Sequence, residues 1–100
     1  MSSTLLHQPK AIIIASRNNL GVIFHPGREA EQVELTSGPR GGDVGIGLSP
    51  AEALGYRWAD HFTRAGADWF FDVLRALVTG EEIDLEALRA EAERRNRGGR

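Results

Sequence analysis

The sequence predicts a two-layer α+β domain, with a meander of about four antiparallel strands followed by three helices. Three observations lead to this prediction. β-Branched and alternating apolar runs recur through the first half of the chain, up to residue 48. A helix-start signal, Ser-Pro-Ala-Glu, follows at residues 49–52. Beyond it, the apolar residues recur at helical spacing, so the strands and the helices occupy separate halves.

The first two strands, near 11–16 and 20–25, are predicted to form a hairpin. Asn18 and Asn19 tolerate positive φ and can make the tight turn between them. In this register residue 14 faces residue 23, and residue 13 faces residue 24. One face then carries Ile13, Ala15, Leu20, Val22 and Phe24, and the other carries Ile12, Ile14, Ile23 and His25. Because both faces are apolar, we expect the hairpin at the sheet's centre or covered on both sides.

Two further strands are predicted near 32–37 and 43–48, separated by a glycine-rich loop. Apolar residues alternate with polar residues in the third strand and with glycine in the fourth, as expected for strands with two different faces. In the fourth strand Val44, Ile46 and Leu48 share one face, while Gly45 and Gly47 share the other. A glycine face leaves room for a helix or a ligand to approach closely.

The first helix is predicted near 50–65. Ser49 can cap the free N–H groups, Pro50 suits the first helical position, and Glu52 can complete a capping box. Gly66 follows as a C-terminal stop.

The second and third helices are predicted near 68–79 and 84–96. Gly80 ends the second helix, and Asp84 is placed to cap the third. The third helix has a thin apolar face and many charges, which indicates a peripheral position.

The length and composition of the chain are those of one small domain. We expect this domain at residues 11–97, with flexible ends at 1–10 and 98–100. The chain has 100 residues, a net charge of −2 and no cysteine, which excludes disulfides and thiolate metal sites. Neither a membrane-length apolar run nor a secretory signal is evident, so we expect a cytoplasmic protein without a membrane partner. The alanine and arginine content is typical of a GC-rich bacterial or phage gene.

The residues contain no recognisable catalytic constellation. The glycine-rich stretch lacks the Gly-Lys-Ser/Thr triplet of a phosphate-binding loop. His7, His25 and His61 lack metal-ligand spacing. We therefore predict no enzymatic activity, no catalytic residue, no cofactor and no metal.

Aromatic residues crowd the segment from 56 to 71, where they exceed what one helix face can bury. Tryptophan and other aromatic residues are common interface anchors. The leading hypothesis is therefore a protein-interaction or adaptor module that self-associates, as in a homodimer. Its candidate interface residues are Tyr56, Trp69, Phe71 and Leu88.

Two alternative hypotheses remain open. The first is a nucleic-acid-binding accessory protein, because arginines cluster in the tail and stand at expected loop tips. Its candidate contacts are Arg17, Arg40, Arg94, Arg95, Arg97 and Arg100. The second is an anion or small-ligand site at the glycine-rich strand and the helix start, with Gly45, Gly47 and Ser49 as candidates.

Overall fold

The structure, a computed structural model, describes residues 10–38 and 44–98. It confirms the α+β prediction, with a four-stranded antiparallel sheet in the order β1-β2-β3-β4. The strands are β1 (Ile12–Arg17), β2 (Leu20–Phe24), β3 (Val33–Ser37) and β4 (Val44–Leu48). Each lies within one residue of its predicted ends. The predicted start of β4 at Asp43 lies outside the described residues, as do residues 1–9 of the predicted flexible segment 1–10 and residues 99–100 of the predicted flexible tail.

Within the described residues, four α-helices follow the sheet: α1 (Pro50–Ala53), α2 (Ala59–Ala65), α3 (Phe71–Val78) and α4 (Leu85–Gly98). Two 3₁₀ turns, Tyr56–Trp58 and Asp68–Phe70, lie before α2 and α3. The core joins apolar side chains of the sheet to those of the helices; its largest fully buried members are Phe24, Phe62, Phe70, Ile14, Leu35, Leu74, Val22 and Val33. No helix of the described segments combines the length and the apolar character needed to cross a bilayer.

The predicted hairpin turn is confirmed, since Asn18 and Asn19 have φ of 59° and 62°. The register from Arg17↔Leu20 to Ala15↔Val22 is also as predicted, but a bulge at residue 14 then shifts the pairing by one. Ile12 therefore pairs with Phe24, and Ile13 with Ile23.

The bulge changes which face each isoleucine of β1 occupies. Ile12 and Ile14 are buried in the core, whereas Ile13 lies on the opposite face and is 57% exposed. The predicted assignment of these three residues to faces was wrong. The expected central position was also wrong for β1, which is an edge strand.

The predicted first helix is interrupted. Its start is as expected, with Ser49 and Glu52 forming a capping box. However, α1 ends at Ala53, and Gly55 has an extended backbone with ψ of 139°. Glycine is a weak helix former, so the chain can leave the helix here at small cost and resume as a 3₁₀ turn and α2. Gly66, at φ 82°, ends α2 as predicted.

Helix α4 covers the outer edge of β1. Arg89 donates to the carbonyl groups of Ala11 and Lys10 at 3.4 and 3.2 Å, and Asn96 donates to the Ile13 carbonyl at 3.0 Å. Asp84 caps the helix by accepting from the Ala87 N–H at 3.1 Å. The predicted third helix is thus peripheral in position, but it closes one edge of the sheet. It runs two residues beyond the predicted end.

Candidate functional site

The second edge of the sheet, formed by β4, is open in the described part of the chain. β4 pairs with β3 on one side, and no described strand pairs with its other side. Its sequence, Val-Gly-Ile-Gly-Leu, contains neither a charge nor a proline. Val44 is 65% exposed and Ile46 is 43% exposed. An apolar edge strand without a charge or a proline lacks the usual protection against strand association.

A hollow of about 290 Å³ adjoins the β4 edge. It lies where the chain leaves α1, and its lining residues are Ile46, Leu48, Glu52, Gly55, Arg57 and Trp58. The Arg57 guanidinium lies 4.9 Å from the centre of the Trp58 ring. The break after α1 therefore gives the β4 edge a partly aromatic border.

The four predicted interface residues differ in how far their side chains are exposed. Tyr56, in the 3₁₀ turn after α1, is 93% exposed. Trp69 is half-buried beneath Arg95, and Phe71 packs on Phe62 with ring centres 4.8 Å apart. Leu88 is 6% exposed and belongs to the core. Of the four, Tyr56 is therefore the most available to a partner. The other large apolar side chains exposed in the described residues are Ile13, Val44, Ile46 and Val78, and two of these lie together on β4.

Sequence reasoning missed Val44 and Ile46 as interface residues. The signal that could have found them is the meander itself, because its last strand must lie at an edge unless another element covers it. The uncharged run Val44–Leu48, which also has no proline, lacks the usual protection against edge pairing.

The glycine face of β4 receives acidic side chains. A Cβ atom on Gly45 would lie 3.1 Å from Glu34 Oε2, and one on Gly47 would lie 2.7 Å from Glu31 Oε1. The open space predicted above these glycines thus contains carboxylates, which repel an anion.

Ser49, the third residue of the predicted anion site, is occupied by its capping box. Its Oγ accepts from the Glu52 N–H at 3.1 Å, and the Glu52 carboxylate accepts from the Ser49 N–H at 2.9 Å. A negative side chain therefore already uses the start of this four-residue helix.

The two histidines within the described residues have structural partners. His25 Nε2 lies 2.8 Å from Glu34 Oε1 on the outer face of the sheet. His61 Nε2 donates to the Gly21 carbonyl at 3.0 Å, which ties α2 to β2. In residues 10–38 and 44–98, no cluster of three or more His, Cys, Asp or Glu residues is arranged to hold a metal ion. His7 lies outside these ranges.

Three of the six predicted nucleic-acid contacts meet at a single cleft of about 410 Å³, which we call the arginine cleft. Its lining residues are Arg17, Gly66, Asp68, Trp69, Arg94, Arg95 and Gly98. Arg97 instead lines a separate groove between β1 and α4. Arg40 and Arg100 lie outside the described residues.

Contacts within α4 and with Trp69 position two of these arginines. The Arg95 guanidinium lies 4.8 Å from the centre of the Trp69 ring. Arg94 Nη2 donates to Glu91 Oε2 at 2.5 Å, and Arg95 Nε donates to the same oxygen. The hydrogen bonds from Arg94 and then Arg95 hold the pKa of Glu91 below its ordinary value.

Comparisons of the chain with protein-family models, with curated proteins and with solved structures find no match in any of the three. The β4 edge and the arginine cleft are therefore the features of the structure that bear on its function.

Proposed function

We propose that this protein is a non-catalytic interaction module that self-associates by antiparallel pairing of β4 with β4 of a second copy. The observation that carries the proposal is an open edge strand bearing two exposed apolar side chains, Val44 and Ile46. Pairing would satisfy the outward N–H and C=O groups of β4 and remove this apolar surface from water.

The sequence of β4 favours a second copy as the occupant. It is nearly symmetric about Ile46, so a two-fold axis there places Ile46 opposite its counterpart and each glycine opposite a glycine. Val44 then lies opposite Leu48, which again matches apolar with apolar. The strand carries no charge, so self-pairing brings no like charges together.

The hollow beside β4 also supports this occupant. With the axis at Ile46, both Ile46 side chains lie on the same face of the joined sheet, because directly opposite residues share a face. This is the face of the hollow that Ile46 and Trp58 line. The side chain of a second copy would therefore contact an apolar border rather than water.

The closed edge at β1 supports a dimer over a longer assembly. If both edges were open, pairing could continue from copy to copy along the sheet. Because α4 covers β1, two four-stranded sheets would join only through β4. The result is one eight-stranded sheet with a helix at each end.

Sedimentation velocity on the purified protein and on Ile46→Lys tests the proposal. We expect a concentration-dependent dimer for the wild type and a monomer for Ile46→Lys, since an edge lysine prevents strand pairing. Val78→Lys is the matched control, because Val78 is a similarly exposed apolar residue on α3, and it should remain dimeric. Circular dichroism would establish that each variant is folded.

Two outcomes would contradict self-association through β4. One is a wild-type protein that stays monomeric up to its solubility limit. The other is a dimer that persists in Ile46→Lys, which would place the contact on another surface. A monomer that binds an added extended peptide through Ile46 would identify a foreign strand as the occupant.

A further inference from the structure

We propose that the arginine cleft binds a phosphate group, carried either by a small molecule or by a nucleic-acid strand. The proposal is independent of self-association, because the cleft lies beside β1 and α4 while β4 forms the opposite edge of the sheet. Its volume of about 410 Å³ is that of a small-ligand pocket.

Arg17 is the first element of the site. It is the last residue of β1, and its guanidinium lies directly on Gly66. A Cβ atom on Gly66 would lie 3.1 Å from both Cζ and Nη2 of Arg17, so the absence of a side chain leaves room for the guanidinium. Gly66 also has φ 82°, a conformation that itself favours glycine.

The side chain of Arg17 has no hydrogen-bonding partner among residues 10–38 and 44–98. Nor does it make an ion pair with any of these residues. A guanidinium carries five N–H donors in a fixed planar fork. A positioned fork without a partner is suited to an oxyanion that can accept two bonds from it.

Arg94 and Arg95 supply the second wall. The indole of Trp69 supports the Arg95 guanidinium from below, as in cation–π pairs. Both arginines share one carboxylate, that of Glu91. Asp68 lines the cleft and Glu91 lies just outside it as the partner of two of its arginines, so three arginines stand against two carboxylates, a net charge of +1.

A phosphate group fits this arrangement better than a carboxylate. It offers at least two free oxygens with further lone pairs, so it can accept from Arg17 and from the α4 arginines at the same time. Glu91 pairs with Arg94 and Arg95 because it lies three and four residues before them on α4, and it has no hydrogen bond to Arg17 in the described residues. Asp68 limits the positive charge, so we expect a single phosphate group rather than a polyphosphate chain.

Titration followed by amide and indole NMR signals tests the proposal at low ionic strength. The two ligands are inorganic phosphate and a short oligothymidylate. We expect the signals of Arg17, Gly66 and the Trp69 indole N–H to move with at least one of them. Preference for free phosphate would identify a small phosphate compound as the source. Tighter binding of the oligonucleotide that weakens steeply with salt would identify a nucleic-acid strand.

Three variants distinguish binding in the arginine cleft from nonspecific electrostatic attraction to the protein surface. Arg17→Ala should weaken binding about tenfold, because a charge-assisted hydrogen bond is lost. Glu91→Gln should strengthen binding, because it releases Arg94 and Arg95 from their carboxylate. Arg57→Ala is the matched control, since Arg57 also lies over a tryptophan but outside the cleft, and binding should be unchanged.

Either of two results would overturn the phosphate site. The Arg17 and Trp69 signals could stay in place with both ligands, or Arg17→Ala could bind as tightly as the wild type. Arg17 is not part of β4, so Arg17→Ala should sediment like the wild type even where it loses phosphate binding. Loss of phosphate binding and loss of the β4 dimer are therefore measured separately.

Discussion

Gly21 and Gly45 lie opposite Thr36 in one row across β2, β3 and β4, yet the two glycines have different surroundings. Thr36 is buried, and a Cβ atom on Gly21 would overlap its Oγ1. A Cβ atom on Gly45 would instead meet the carboxylate end of Glu34 at 3.1 Å, where the other carboxylate oxygen contacts His25. Gly21 is therefore required by packing, whereas an alanine at Gly45 needs only a small shift at the end of a longer side chain.

We expect Gly21→Ala to lower the free energy of unfolding by about 1–3 kcal/mol, as overpacking of a buried site does. Gly45→Ala is the matched control and should change it by less than about 0.5 kcal/mol. Urea denaturation of both variants gives the comparison. The double variant Gly21→Ala with Thr36→Ala should recover most of the loss. Equal effects of the two glycine substitutions would contradict the assigned role of Thr36.

At the scale of elements, the two edges of the sheet differ in what covers them. Side chains of α4 satisfy carbonyl groups beside β1, through Arg89 and Asn96, whereas β4 has no such cover in the described residues. Covering an edge with a helix is a common protection against unwanted strand pairing. The difference leaves β4 as the edge proposed to pair with a second copy.

We expect Arg89→Ala and Asn96→Ala each to lower the free energy of unfolding by about 0.5–1.5 kcal/mol, the net contribution of a typical hydrogen bond. Arg97→Ala is the control on the same helix and should stay within about 0.5 kcal/mol of the wild type. Urea unfolding with an unchanged m value provides the measurement. A larger loss for Arg97→Ala than for Asn96→Ala would contradict the edge-covering role.

The sequence was sufficient to predict the strands, the hairpin turn and the helix caps, because each depends on neighbouring residues. It was insufficient at Ile12-Ile13-Ile14, where three identical side chains give no alternation to locate a bulge. It also missed the break at Gly55, because the apolar helical spacing of Leu54, Trp58 and Phe62 continues through it.

The candidate sites were also predictable only as far as they depend on residues close together in the sequence. The arginines of the cleft were named from the sequence, but their meeting depends on contacts between β1, Gly66 and α4 that are distant along the chain. The β4 strand was predicted as well. Its role as an open edge depends on what covers each side of the sheet, which is a property of the tertiary structure.

At the scale of the whole molecule, the two candidate sites lie at opposite ends of the sheet. Pairing through β4 would place the two copies back to back, with one arginine cleft at each far end. Because the sites share no residue, self-association and phosphate binding can be tested separately. Self-association depends on the proposal that β4 pairs with β4 of a second copy around Ile46.

Cysteine cross-linking tests this claim most directly, because the natural chain has no cysteine and a single introduced thiol reports on one position. Directly opposite residues of an antiparallel pair have Cβ atoms about 4.5–5.5 Å apart. Under mild oxidation, Ile46→Cys should therefore form a covalent dimer. Val44→Cys should not, because its counterpart would lie four residues away, about 14 Å along the strand. A dimer from Val44→Cys or Val78→Cys with none from Ile46→Cys would contradict the account.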